Sequence, residues 1–405
     1  MAAEQRVRPT NLPGLPVLVL VLMSLLFLPL GPPVLADEDE EAAELERQQA
    51  FRDGMAEIVE DLNRGSYERF VRAIDEDVLL ERILGLRLID QKIQRQFAER
   101  FDASLEPMVR QSIYDRQGDI RAALIRVVSR GDQGLAVVRY DLPNLQFEYH
   151  EFELKLDRRG RLTILDWTSF LDGERISDSV GIGLVMAAPR SSAVRKLVEE
   201  QIRSEAMLFQ LTELLKAARD RKDERYFEIL EGLDASFRRE RIVVLTSVQL
   251  AKAVRKRRLL RPALIDMDRH FGEEPLYAIM LLDLYFPTRQ YQKAYDALLR
   301  LEQRIGAEDA GMKARLSAAA LVLERHEDAV NYAARAIELD PAVELGWWSA
   351  LRAAALTGNF SGAVAALGHL EAEFGHELGP DALQKDPAFR ALVASDEYQS
   401  WLQDR

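Results

Sequence analysis

The chain has 405 residues, 48% hydrophobic and 30% charged, with a formal net charge of −13 and no cysteine. That length and apolar content suit two or three packed domains, whereas the missing cysteine excludes disulfide frameworks, thiolate metal sites, cysteine nucleophiles and a lipidated N-terminal cysteine. The acidic balance argues against a general nucleic-acid binder, which would have to segregate a basic face to overcome repulsion from phosphates.

Arg6 and Arg8 precede an uncharged stretch from Pro9 to Ala36, whose apolar centre, Leu15 to Leu30, is short for a bilayer span. Gly31-Pro32-Pro33 breaks any helix, and Val34-Leu35-Ala36 offers small residues to a signal peptidase ahead of the acidic run Asp37 to Glu41. Basic, apolar and cleavable in order, residues 1–36 read as a secretory signal cleaved after Ala36, for a periplasmic or otherwise exported protein. Cleavage would leave a net charge of −14. The alternative is an uncleaved N-terminal anchor helix. No second long apolar run follows, so no membrane span is expected after cleavage.

Residues 37–49 are acidic and rich in Ala, Glu and Gln, which predicts a disordered lead-in. From Phe51 the spacing turns helical, with Met55, Ile58, Val59 and Leu62 on one face, and helical pattern continues to about Ile113. From Ile120 the period changes to short strands divided by turn clusters, among them Arg130 to Gly134 and Asp157 to Gly160. In the strand from Phe147 to Leu156, His150, Phe152, Leu154 and Leu156 share one face and Tyr149, Glu151, Glu153 and Lys155 the other. Residues 50–178 therefore predict an α+β domain: helices over the one buried side of an antiparallel meander.

Helices joined through Asn63-Arg64-Gly65, then curved strands ending in Ile164-Leu165-Asp166-Trp167 and Phe170 to Glu174, resemble the cone-shaped domain of the nuclear-transport-factor-two-like superfamily. The resemblance is architectural, without a diagnostic motif. It implies either an enzyme with a polar pocket or a binding and dimerisation module, so fold alone does not choose the chemistry.

Residues 179–193, with Gly181, Gly183, Pro189 and several serines, predict a linker. Gly181-Ile182-Gly183 lacks the third glycine and the strand-to-helix context of a nucleotide loop. A helical junction is expected over 194–243 and a repeat region over 244–377, where Ala294, Ala329 and Ala363 stand 35 and 34 residues apart. Ala336-Ile337-Glu338-Leu339-Asp340-Pro341, Trp347, and Gly358-Asn359-Phe360 ahead of Ala363 resemble the tetratricopeptide repeat. Units fall near 275–308, 310–343 and 344–377, a degenerate one precedes them, and 378–405 reads as a capping helix with Pro387 at a helix start and Trp401 folded back. The fold class is thus an α+β cone-like domain followed by an all-α tetratricopeptide-repeat solenoid.

The repeat resemblance implies a concave surface lined by first helices. Aligned on the units, a peptide-binding groove would take Val248, Lys252 and Arg255, then Ile279, Asp283 and Phe286, then Ala314, Ala318 and Leu321, and finally Trp348 and Arg352. Its cationic end favours an acidic segment or free carboxylate. The densest basic run, Arg255 to Arg258 with Lys252 and Arg261, also reads simply as a solvated helix face. No aromatic interleaves with it, against nucleic-acid binding.

His150 and Glu151 point to opposite faces of their strand. His150 and Asp166, on neighbouring strands, are a weaker pocket pair with acid–base potential, or else a histidine hydrogen-bonded to a carboxylate at the cone rim. Tyr149, Trp167 and Phe170 read as core, with a ligand pocket as the alternative. His369 and His376 are seven residues apart, about 10 Å along a helix that Gly375 ends, so no metal site is argued. No catalytic residue, cofactor or metal is expected under the leading reading, an exported adaptor for a protein or peptide partner. The rivals are a ligand-binding or enzymatic cone domain using His150 and Asp166, and self-association through the open sheet or the repeat ends.

Overall fold

Phe51, Met55, Ile58, Val59 and Leu62 recur at helical spacing along α1 (Glu38–Asn63) and are buried. The computed structural model describes residues 38–85, 91–113, 121–143, 145–187, 222–253 and 257–404, with 210, 213–214, 216–217 and 220 between them. The expected signal segment lies outside these residues. The expected disordered lead-in is instead helical from Glu38, because Ala, Glu and Gln are strong helix formers that extend α1 backwards.

Four more helices follow, α2 (Glu68–Ala73), α3 (Glu76–Gly85), α4 (Gln91–Ala98) and α5 (Phe101–Ser112). The antiparallel sheet then runs β1 (Arg121–Arg130), β2 (Gln133–Leu142), β3 (Gln146–Leu156), β4 (Leu162–Ser169) and β5 (Glu174–Arg175), each strand beside the next. Helix α1 caps the β1 edge. The Asn63 amide donates to Ala122 O (2.9 Å) and accepts from Ala122 N (2.6 Å), and Gln48 donates to Val127 O (3.2 Å).

One sheet face carries Ala136, Val138, Tyr140, Phe152, Leu154, Ile164 and Trp167 into a core with the preceding helices. Phe70 from α2 sits 5.3 Å from Trp167 and 5.5 Å from Phe152, edge on. The opposite face, expected to be open, is buried too. Val137, Phe147, Tyr149 and Phe170 belong to a second core with Val248, Tyr277, Leu281, Met312 and Leu316 of the C-terminal helices. Residues Arg47–Arg405 accordingly form one compact unit. Where a linker was expected from residue 179, α6 (Ile176–Ala187) continues as helix; residues 188–193 lie outside the described residues.

The C-terminal half is a helix-rich, repeat-like region: α7 (Asp223–Gly232), α8 (Arg241–Ala253), α9 (Arg257–Phe271), then the pairs α10 (Ala278–Tyr285) with α11 (Tyr291–Ile305), α12 (Ala310–Val322) with α13 (His326–Leu339), and α14 (Glu344–Thr357) with α15 (Phe360–Phe374). The three pairs fall in the three intervals marked by Ala294, Ala329 and Ala363, each of which is fully buried. A methyl side chain at these positions lets paired helices approach closely. Gly358 ends α14 with φ +78°, and Asn359 then caps α15 by accepting from Gly362 N. Short helices α16 (Pro380–Leu383), α17 (Arg390–Val393) and α18 (Asp396–Gln403) close the end, with Tyr398 and Trp401 packed on the α14–α15 core. Among the described residues, no helix is long and apolar enough to cross a membrane.

Candidate functional site

Three polar assemblies could carry function, and each follows from strand alternation or helix phase. The first joins the sheet to the repeats. On β2, Val137, Arg139 and Asp141 alternate onto the outward face. Arg139, 1% exposed, meets three carboxylates: Asp141 at 2.7 Å, Asp340 at 2.8 Å, and Asp309. Asp309 is also the N-cap of α12, accepting from Met312 N at 2.9 Å, and it accepts the Tyr149 hydroxyl. Arg121 completes the network through Asp141 (3.0 Å) and Asp340 (2.7 Å).

Burial alone would lower the Arg139 pKa; the charges of Asp309 and Asp141 overcome it and raise it. Burial, reinforced by Asp309, pushes the Tyr149 phenol far up. Burial works to raise the Asp340 pKa, yet hydrogen bonds from Arg121 and Arg139 hold it below its ordinary 3.8. Close approach needs small residues here. A Cβ on Gly311, in the first turn of α12, would stand 3.1 Å from both Arg139 Cδ and the Phe147 ring. The cluster has its hydrogen bonds made internally and serves as a clamp.

The second assembly lies on the inward sheet face. Glu148 and His150 sit two apart on β3 and so face the same way, and both are fully buried. His150 Nε2 is 3.0 Å from Glu148 Oε1, which also accepts the Ser169 hydroxyl. The Tyr140 ring lies 4.8 Å from the imidazole. Glu148 Oε2, His150 Nδ1 and the Tyr140 hydroxyl have no hydrogen-bond partner among the described residues. Burial, then the charge of Glu148, pushes the Tyr140 phenol far up.

The expected His150–Asp166 pair does not form. In the ladder His150 opposes Ser169, while Asp166 opposes Glu153 beside a bulge at Leu165 that reverses the facing of the strand between Ile164 and Asp166. Asp166 instead accepts from Ser177 Oγ (2.6 Å) and Trp167 N (2.9 Å), with Arg82 at 3.3 Å.

The third assembly is the exposed face of the first helices, where the groove was expected. Val248, Ile279 and Leu321 are 0%, 7% and 6% exposed and belong to the core, so they are not groove walls. Phe286 is half-buried against the same core. Lys252 and Asp283 do meet, at 3.2 Å. Trp348 donates to Glu344 (2.9 Å), and Arg352 pairs with Asp386. Arg255 lies outside the described residues. On α12 the expected face holds only at Ala318: Ala314 and Leu321 are buried, and the accessible stripe is Arg315, Ala318 and Val322. On α14, which packs against α12, it is Trp348, Arg352 and Leu356.

His369 stacks on Trp347 at 3.6 Å, and His376 Nε2 bonds Glu344 at 2.6 Å, so the two histidines serve separate contacts. No group of three or more potential ligands could hold a metal ion among the described residues. Sequence reasoning missed Glu148, although the alternation that grouped His150 with Phe152 extends to it, and missed Arg315, next to Ala314 on α12. No protein-family model matches the chain, and no curated protein matches it in sequence.

Proposed function

We propose that this chain is a noncatalytic, exported scaffold of the tetratricopeptide-repeat type. Its cone-like α+β domain serves as a fixed buttress, and its first-helix face takes an extended peptide or protein segment in the periplasm. The observation that supports this reading is the pair of adjacent stripes on α12 and α14, where Val322 and Leu356 remain 43% and 44% exposed side by side among polar side chains. Repeat surfaces of this kind bind by shape, apolar anchors and charge. A photo-crosslinking residue at Val322 or Leu356 should capture a discrete partner in the cells that make the protein. The same residue at Val330, equally exposed on a second helix, should not. Equal capture at all three positions, or none, defeats the reading.

A second reading, a small polar ligand bound within the α+β domain, is favoured by the unpartnered atoms of Glu148, His150 and Tyr140. It requires ligand-dependent stabilisation that Glu148→Gln abolishes. A ligand screen by thermal shift that finds none removes it.

A further inference from the structure

Two arginines sit where the sheet meets α12, and their situations are opposite. Arg139 is held by three carboxylates. Arg315 has none at ion-pair distance among the described residues. Its guanidinium lies 4.1 Å over the Phe147 ring, and its Nε is buried without a hydrogen-bond partner among the described residues. The residue is nonetheless partly accessible, on the same stripe as Ala318 and Val322. The groups that act on its charge are the buried Tyr149 phenol, which is neutral, and Asp283, which already pairs with Lys252 at 3.2 Å. Of the carboxylates at this end of α12, Asp309 is committed to Arg139, Tyr149 and the helix N-terminus, and Glu308 beside it to Lys313 and Arg335.

A desolvated cation left without a counter-charge is costly, and the cost is recovered when an anion arrives. Burial accordingly lowers the Arg315 pKa, more than its neighbours raise it. The Phe147 face fixes the plane of the guanidinium by a cation–π contact, so the edge that remains open is presented in one orientation for a planar, bidentate acceptor. Further along the same face stand Val322 and Leu356, suited to apolar side chains.

We propose that Arg315 is the anchor for a carboxylate of the partner, so that the segment bound on the first-helix face is an acidic one, with an Asp or Glu on Arg315 and apolar residues on Val322 and Leu356. The proposal rests on the scaffold reading above and names the partner's chemistry. Lys252, paired with Asp283, does not supply this site; the cation comes from the junction of the sheet with the repeats.

Two measurements on the full chain test it. The first follows the arginine Nε–Hε resonances during titration with succinate, with succinamide as the uncharged control and inorganic phosphate as the competing anion. The resonance lost in Arg315→Lys should shift saturably with succinate and not with succinamide. No saturable shift, an equal shift with succinamide, or a response to phosphate alone overturns the carboxylate site. The second selects binders from a displayed library of random dodecapeptides. The wild type should enrich sequences carrying Asp or Glu, and Arg315→Gln should weaken them about 30-fold or more, with Arg315→Lys intermediate. Binders that lack acidic enrichment, or that hold Arg315→Gln equally well, overturn the proposal while leaving the scaffold reading in place. If no dodecapeptide is selected, the scaffold reading falls, whatever succinate does to Arg315. Arg315→Gln should melt no lower than the wild type, because it removes an unpaired buried charge; should it fail to fold, Arg315→Lys carries both tests.

Discussion

The two faces of one sheet bury polar clusters only a strand's thickness apart, and they are built differently. The outward face joins Arg139, Asp309, Asp340 and Tyr149 into a network whose charges alternate and whose hydrogen bonds are made. The inward face leaves one oxygen of Glu148, one nitrogen of His150 and the Tyr140 hydroxyl without partners among the described residues. A satisfied buried network fixes geometry, whereas an incomplete one carries a desolvation cost that its neighbours must offset. The outward cluster therefore holds the repeats against the sheet, and the inward one is tolerated inside an aromatic core.

The largest expected effect breaks the clamp. Asp309→Ala removes the counter-charge of a buried arginine, the acceptor of Tyr149 and the N-cap of α12 together, and should cost about 3–5 kcal/mol in urea or thermal unfolding. Replacing both partners, as in Arg139→Met with Asp309→Leu, should recover most of that loss, since no charge is stranded. A loss below about 1 kcal/mol for the single variant would show that the sheet and repeats do not depend on this contact. Next comes Gly173→Ala. Gly173 has φ +70°, and an added Cβ would fall 2.3 Å from the Tyr277 ring across the same junction. About 1–3 kcal/mol is expected, read from the same unfolding curves.

These two sites also show what could be read before the fold was seen. The apolar spacing of α1, the change of period near residue 120 and the alanines at 294, 329 and 363 are local signals, and the elements they predict are present. Arg139 in the run Val137 to Asp141 shows its facing by alternation, but its burial depends on Asp309 and Asp340, which lie 170 and 201 residues away. No periodicity encodes that contact, so the sheet was expected to have one open side. Asp166 was misplaced by a single extra residue, Leu165, because a bulge reverses facing without leaving a compositional mark. On α12, Ala314 and Leu321 were expected on the accessible face in place of their neighbours Arg315 and Val322 for a related reason. A stripe of small side chains on α12 fits several helical phases, and only packing against α13 and α14 selects the one that exposes Arg315.

A smaller effect follows from Asp340, and its direction is set by its lowered pKa. The folded carboxyl titrates below its ordinary 3.8, so its pairing with Arg121 and Arg139 contributes fully above that value and is lost as pH falls through the folded pKa. At neutral pH, Asp340→Asn should cost about 1–3 kcal/mol, and the difference from wild type should shrink below pH 4. A difference that stays constant between pH 7 and pH 3 would mean that the carboxylate charge contributes nothing to the clamp.

The least effect is expected from replacing Glu148 and His150 of the inward cluster together, and this sharpens the contrast between the faces. Glu148→Leu alone strands the His150 imidazole in the core and leaves the Ser169 hydroxyl to Asp172, a loss of about 1–3 kcal/mol. Glu148→Leu with His150→Phe removes the unpartnered atoms of these two residues along with their partnered ones and leaves an aromatic ring against Tyr140 and Phe152, where the imidazole now packs 4.8 and 6.0 Å from those rings. The double variant should therefore lie within about 1 kcal/mol of wild type in urea unfolding. If it proves as costly as Asp309→Ala, the inward cluster is a second structural clamp. If it is neutral, Glu148 and His150 are polar for a reason other than stability, which strengthens the case for a small polar ligand at that site.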